Sequence, residues 1–156
     1  MDESGIKRKE MNDKTPIHIL LGLLFVVILF HVAVLFKAVP NEIVWGGRLQ
    51  DDSEMLVFEA LSILINMFLG LVLLMKADYI KIKWKEKTIN IILWIFLILF
   101  VLNTFGNLFA NSNFEKFFAV LTFAFAILIW KILKQKKFNG RNKISNLEKN
   151  QDNLPV

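Results

Sequence analysis

A few polar and ionisable residues interrupt otherwise apolar stretches of the chain. They are His31 in the first stretch, Glu59, Ser62 and Asn66 in the second, and Asn103 and Asn107 in the third. Glu59 and His31 carry a carboxyl and an imidazole, the groups most used for general acid and base catalysis. The amides and the hydroxyl both donate and accept hydrogen bonds. The chemistry to expect is therefore proton exchange between Glu59 and His31, or the binding of a polar group.

The strong catalytic signatures are missing from the sequence. There is no HExxH motif, no glycine-rich phosphate loop, no nucleophile elbow and no cysteine. We therefore predict no cofactor and no metal, and enzyme activity would depend on Glu59 and His31 alone. Each of them also has a structural interpretation. Glu59 would form an ion pair that fixes a loop, and His31 would be a buried neutral imidazole.

Composition indicates a membrane protein. The chain has 156 residues, of which 55% are hydrophobic and only 21% charged, and the charges crowd into short segments. The formal net charge of +5 comes from basic residues that flank long apolar runs. Anionic lipid head groups are therefore the expected partner of these residues, rather than nucleic acid.

Four apolar runs are long enough to cross a bilayer core of about 30 Å as helices. They predict an all-α, four-helix transmembrane bundle with spans at 17–39, 55–75, 89–110 and 114–133. Only helices satisfy the backbone of such segments in lipid. The spans make up a membrane domain, 17–134. An N-terminal arm, 1–16, precedes it, and a tail, 135–156, follows with too few apolar residues to fold, so we predict disorder there.

The basic residues predict the orientation of the bundle. All but three of the 19 Lys and Arg residues lie in the N-terminal arm, the loop between the second and third spans, and the C-terminal end. The exceptions are Lys37, Arg48 and Lys116. Because cytoplasmic loops retain positive charge, both termini are predicted to be cytoplasmic, in a bacterial plasma membrane. The loop 76–88, which interleaves Lys with Tyr79 and Trp84, is expected at the lipid interface.

Orientation and helical rise together predict where the polar residues lie. At about 1.5 Å per residue, Glu59 lies about 6 Å, Asn107 about 5 Å, Asn103 about 10 Å and His31 about 12 Å from the outer ends of their helices. Glu59, Ser62 and Asn66 share one helix face, as do Asn103 and Asn107. Polar groups are costly in hydrocarbon, so these faces should point into the bundle. The amides could also serve only as hydrogen-bonded links between helices.

The outward loop between the first two spans provides two further binding candidates. Trp45 suits the lipid interface, and Arg48 can offer a two-pronged donor to a carboxylate or phosphate. Gly46 and Gly47 between them permit a tight turn, so the loop could fold over the bundle as a lid. The acidic residues that follow are Asp51, Asp52 and Glu54, which form a solvated edge or, less readily, a cation site.

A family resemblance rests on Pro40, on Trp45-Gly46-Gly47-Arg48 and on Phe58-Glu59. Asn103-Thr104 with Gly106-Asn107 adds to it. In these motifs the chain resembles an uncharacterised family of small bacterial four-span membrane proteins, from about His31 to Phe118. The resemblance implies the fold and the origin, and it implies no activity.

Three functions fit these features. The first is binding, or carriage, of a lipid or small amphipathic molecule in a polar pocket in the outer half of the bundle, in which Glu59 could exchange protons with the substrate. The second is a membrane-embedded enzyme that uses Glu59 and His31 as an acid and base. The third is a scaffold or subunit of a membrane complex. The sequence does not decide between them, nor between a monomer and a homo-oligomer.

Overall fold

Four helices account for nearly all of the structure. The computed structural model describes residues 3–39, 51–82, 84–109 and 113–151. The helices are α1 (Glu3–Leu35), α2 (Asp52–Lys76), α3 (Glu86–Leu108) and α4 (Asn113–Gln151). Each contains a segment long and apolar enough to cross a membrane. The predicted all-α four-helix bundle is confirmed, and the four apolar helices indicate a multi-pass membrane protein.

Helix α1 ends at Leu35, before the predicted end of the first span at Val39. Pro40 disfavours a helical conformation at Val39, so the helix must end earlier. It does so through Lys37, which has a left-handed φ of 56°. The N–H of Ala38 then bonds the carbonyl five residues before it, at 2.9 Å. This is a Schellman motif without the usual glycine at its left-handed position, so residue type does not predict it.

Helix α2 is closed at both ends by local hydrogen bonds. At its start, the carboxylate of Asp51 accepts hydrogen bonds from the backbone N–H of Ser53 at 3.0 Å and from its hydroxyl at 2.8 Å. At its end, Asp78 takes a left-handed φ of 63°. The N–H of Tyr79 bonds the carbonyl five residues earlier, at 3.0 Å. The helix is therefore fixed between Asp52 and Lys76.

Helices α1 and α4 both extend beyond their apolar segments. Helix α1 already begins at Glu3, and α4 continues to Gln151. The added segments contain many Lys, Glu and Gln residues, which have good helix propensity. No proline lies between Asn113 and Gln151. A helix nucleated in an apolar span extends through such a segment because each further residue adds a hydrogen bond without a new nucleation cost.

The two ends of the bundle differ in charge and in packing. We call the end that carries Lys14, Lys76 and Lys134 the basic end, and the opposite one the Asp51 end. Fully buried apolar side chains extend from the middle of the bundle to the basic end. They include Leu20, Leu24, Leu69, Leu73, Leu93, Phe125, Ile129 and Ile132. Towards the Asp51 end the buried apolar cluster is small and is centred on Val34 and Met55.

The helices also pack unevenly. Contact is most extensive between α3 and α4 and next between α1 and α2, whereas α2 and α3 make less. At the basic end the Lys76 ammonium joins α2 to α3, lying 3.3 Å from Oε1 of Glu86 and 3.0 Å from Oδ1 of Asn90. At the same end, Nε2 of His18 and the hydroxyl oxygen of Tyr79 form a hydrogen bond of 2.6 Å. Helices α2 and α3 are thus tied at the basic end.

Candidate functional site

His31 and Glu59 form a pair that joins α1 to α2. Nδ1 of His31 lies 2.6 Å from Oε2 of Glu59. The side chain of Glu59 is 1% exposed and that of His31 is 17% exposed. A separation this short requires a proton between the two atoms, because nitrogen and oxygen lone pairs would otherwise repel. The sequence predicted these two residues as partners in chemistry, and the structure brings them into direct contact.

The other polar residues of α2 continue the face on which Glu59 lies. Nδ2 of Asn66 donates a hydrogen bond to the backbone carbonyl of Ser62 at 2.7 Å. Asn66 therefore uses its amide N–H within its own helix rather than to join two helices. This bond leaves Asn66 the amide oxygen as an acceptor and its second amide N–H as a donor.

A threonine of α3 contacts a threonine of α4. Oγ1 of Thr104 lies 3.0 Å from Oγ1 of Thr122 on α4. Each hydroxyl also lies close to a carbonyl of its own helix, Thr104 at 2.7 Å from Phe100 and Thr122 at 2.9 Å from Phe118. We did not predict this pair. Its signal in the sequence was a hydroxyl within each of the last two apolar runs, the kind of residue that bonds between helices in lipid.

A cleft of about 550 Å³ lies between the helices, from the middle of the bundle towards the Asp51 end. Its polar lining consists of His31, Glu59, Ser62, Asn66, Asn103, Asn107 and Thr122. The structure thus gathers around one space all of the predicted residues whose side chains it describes. Trp45 and Arg48, the two candidates from the loop, lie outside the described residues, as does the side chain of Asp52.

The apolar lining shows where the cleft opens. Ile65 of α2 is 44% exposed, and Leu99 and Leu102 of α3 are 49% and 62% exposed, yet all three line the cleft. These residues lie on α2 and α3, which pack less against each other than α1 packs against α2 or α3 against α4. The cleft is therefore open laterally, with polar groups inside and apolar groups at its mouth.

A second and smaller cavity, of about 170 Å³, lies towards the Asp51 end. It is lined by Leu35, Lys37, Ser53, Met55, Leu56 and Glu59. Glu59 lines both spaces. Its carboxyl therefore separates the cleft from a cavity whose wall includes an ammonium group and a hydroxyl near the end of the helices.

Of the acidic residues at the Asp51 end, Asp51 is the N-cap of α2. The backbone N–H and the hydroxyl of Ser53 hold the pKa of Asp51 below its ordinary range, because both hydrogen bonds favour the carboxylate. Among the residues whose side chains are described, no three His, Asp or Glu residues lie close enough together to hold a metal ion.

Comparison of the chain with protein-family models, with curated proteins and with solved structures found no match. The resemblance that its motifs suggested therefore stays a prediction. Function must be argued from the cleft itself.

Proposed function

We propose that this protein binds an amphipathic, lipid-like ligand in the cleft. The observation that carries the proposal is that one space combines a polar interior at Glu59, Ser62 and Asn66 with an apolar mouth at Ile65 and Leu99. Its volume falls in the range of about 300–1,000 Å³ that small-molecule sites occupy. A ligand with a polar head and an alkyl chain would satisfy both parts at once.

In the orientation that the basic residues predict, the cleft lies in the outer half of the membrane. The ligand would then enter sideways from the outer leaflet, between α2 and α3. The basic end would lie at the cytoplasmic surface, where Lys14 approaches the Tyr79 ring at 5.2 Å and Lys134 lies 3.7 Å above the Trp130 ring. Ammonium groups held beside aromatic rings at this depth suit anionic head groups.

A photoactivatable lipid tests the binding proposal. The probe is a single-chain lipid with a diazirine in its alkyl chain, added to the purified protein in nanodiscs, and adducts are mapped by mass spectrometry. We expect adducts at Ile65, Leu99 and Leu102 that saturate with probe and that excess unlabelled lipid removes. Adducts at Leu64, which is 67% exposed, should increase linearly with probe concentration and should not saturate.

A matched pair of variants provides the control. Leu99→Trp places a large side chain in the mouth of the cleft and should abolish the saturable adducts. Leu64→Trp adds the same bulk to an exposed position of α2 outside the cleft lining and should leave them unchanged. Non-saturable labelling at all four positions would refute the proposal, because it would show only contact with bulk lipid.

The 2.6 Å separation of His31 and Glu59 favours one second candidate, a membrane-embedded enzyme that uses them as base and acid. Lipid turnover in vesicles, followed by mass spectrometry, tests it. The enzyme is favoured if the wild-type protein and the His18→Gln variant form a product that the His31→Gln variant does not form. A scaffold would instead retain its phenotype in a Glu59→Gln, His31→Ala double variant.

A further inference from the structure

We infer that the head group taken by the cleft is an uncharged polyol, a glycerol at the end of an alkyl chain, whose hydroxyls both donate and accept hydrogen bonds. This inference rests on the proposed function and names the chemical class of its ligand. Four observations support it: unused amide groups in the cleft, their mixed polarity, their spacing, and the engagement of the buried carboxyl within the protein.

Amide groups of the cleft retain hydrogen-bonding capacity that the protein does not use. Asn107 is half-buried and Asn103 is exposed, and both line the cleft. Neither side-chain amide has a hydrogen-bond partner among the described residues. Asn66 donates one amide N–H to Ser62 and keeps its oxygen and its second N–H. No described side chain has a buried nitrogen or oxygen atom without a partner, so these unused groups are accessible to a ligand.

An amide without a partner is costly within a membrane span. Asn66 lies near the middle of α2, and Asn107 lies in the last turn of α3. Hydrocarbon offers such groups no hydrogen bonds, so they are expected to face water or a bound polar molecule. The head group of the ligand would supply these bonds when its alkyl chain excludes water from the cleft.

The polar groups of the cleft present donors and acceptors together. An asparagine amide offers an N–H and a carbonyl oxygen side by side, and the half-buried Ser62 hydroxyl also offers both. The Thr122 oxygen can accept, since its O–H has the carbonyl of Phe118 at 2.9 Å. A phosphate dianion or a carboxylate only accepts, and a trimethylammonium neither donates nor accepts, so each would leave part of this lining unpaired. A hydroxyl pairs with both kinds of group.

The spacing of these groups favours more than one hydroxyl. Ser62 and Asn66 are four residues apart on α2, and Asn103 and Asn107 are four apart on α3. Each pair lies on one helix face and extends about 6 Å along the helix axis. A single hydroxyl donates one hydrogen bond and accepts up to two, which is too few for side chains spread over two helices. Adjacent hydroxyls of a polyol double this capacity and cover more of the length.

The buried carboxyl is already engaged within the protein. Nδ1 of His31 lies 2.6 Å from Oε2 of Glu59, and Glu59 has a further interaction besides this one. Glu59 also lines the second cavity together with Lys37. A charged head group would have to compete with these contacts, because a buried charge needs a counter-charge or several hydrogen bonds. An uncharged head group leaves them intact.

The apolar mouth of the cleft also favours an uncharged head group. A ligand that enters between α2 and α3 passes Ile65, Leu99 and Leu102. Moving a hydroxyl past such side chains costs far less than moving an ion, because desolvation of a charge is the more costly. Inside, the rings of Phe100 and Phe125, 4.8 Å apart, provide an apolar wall for the alkyl chain.

Four probes that share a dodecyl chain test the inference: 1-O-dodecylglycerol, its 2,3-di-O-methyl ether, dodecyltrimethylammonium and dodecyl phosphate. Saturable binding to the full-length protein in zwitterionic nanodiscs is expressed against the mole fraction of probe in the bilayer, which corrects for partitioning. The glycerol ether should bind at least about tenfold more tightly than its dimethyl ether, because methylation removes two hydrogen-bond donors and keeps the chain. It should also bind more tightly than either charged probe.

Asn107→Leu and Asn90→Leu form the matched pair of variants. Both replace a half-buried asparagine of α3 by a leucine of similar size, but Asn90 bonds Lys76 at the basic end and lies outside the described lining of both cavities. Asn107→Leu should reduce the preference for the glycerol ether over its dimethyl ether by at least about threefold, as the loss of one hydrogen bond implies. Asn66→Leu should do the same from α2. Asn90→Leu should leave the preference as in wild type.

The comparison of the glycerol ether with its dimethyl ether in the wild-type protein does not depend on any variant folding. Equal affinity of the two overturns the inference and leaves the proposed function standing. Tighter binding of the ammonium or the phosphate also overturns it, as does a preference that both Asn107→Leu and Asn66→Leu retain in full. Absence of saturable binding by any probe overturns the inference and the proposed function together.

Discussion

The contact between His31 and Glu59 should be the strongest polar coupling between α1 and α2. A double-mutant cycle with His31→Ala and Glu59→Ala isolates this coupling, because it cancels every other contact that either side chain makes. Hydrogen bonds between membrane helices contribute about 0.6 kcal/mol on average and up to about 1.7 kcal/mol. A charge-assisted bond is about twice as strong as a neutral one. At 2.6 Å, with Glu59 buried, a coupling of about 1.5 kcal/mol or more follows.

Unfolding by denaturing detergent in bicelles, followed by the fluorescence of the four Trp residues, measures this coupling. The His18 and Tyr79 pair is the control, since its atoms are also 2.6 Å apart but both side chains are exposed. Its cycle should give no more than about 0.5 kcal/mol, because exposed polar pairs contribute little. A coupling between His31 and Glu59 no larger than that of the control would refute the reasoning, because burial would then add nothing to the contact.

Three further predictions concern the helix ends and the orientation. Lys37→Gly should raise the free energy of unfolding by up to about 1 kcal/mol, since glycine adopts a left-handed φ without steric cost. An unchanged free energy of unfolding in the same detergent assay would contradict this prediction. Asp51→Asn should lower the melting temperature at pH 7. That difference should shrink below about pH 4 as Asp51 itself becomes protonated, because its pKa is lowered in the fold. In this cysteine-free chain, Glu54→Cys should react with an impermeant maleimide from outside the cell and Glu86→Cys only after lysis; the reverse pattern would refute the predicted orientation.

The sequence predicted the four helices well because length and hydropathy alone define a span. Within a bilayer a run of about 20 apolar residues has no alternative to a helix. The helix ends were harder. The end of α1 depends on a left-handed lysine, and residue type points to such a conformation only when the residue is glycine or asparagine. Hydropathy does not indicate where a helix ends beyond its apolar segment, and α4 continues to Gln151.

The clustering of polar residues was predictable, whereas their bonds were not. Helical periodicity and the predicted orientation placed Glu59 and Asn107 at similar depths and on inward faces. Both line the cleft, as does Asn103, although Asn103 is exposed. The rotation of each helix about its axis decides which partners meet, and it depends on packing that is poorly marked in the sequence, since lipid-facing and buried residues are equally apolar. Thr104 with Thr122 therefore escaped prediction, as did the bond of Asn66 within its own helix.

The uneven packing of the bundle determines which helices are held together beside the cleft. In a bilayer, an apolar side chain gains little free energy when it moves from contact with lipid to contact with another helix. Helices therefore associate through close packing and polar contacts. Near the Asp51 end, the described contacts of this kind join α1 to α2 through Glu59 and α3 to α4 through Thr104. The ionic link between α2 and α3 lies at the basic end, at Lys76. Among the described residues, the boundary between α2 and α3 is thus held by polar contacts at the basic end, whereas the rings of Phe30 and Phe118, 5.3 Å apart, also join α1 to α4 beside the cleft.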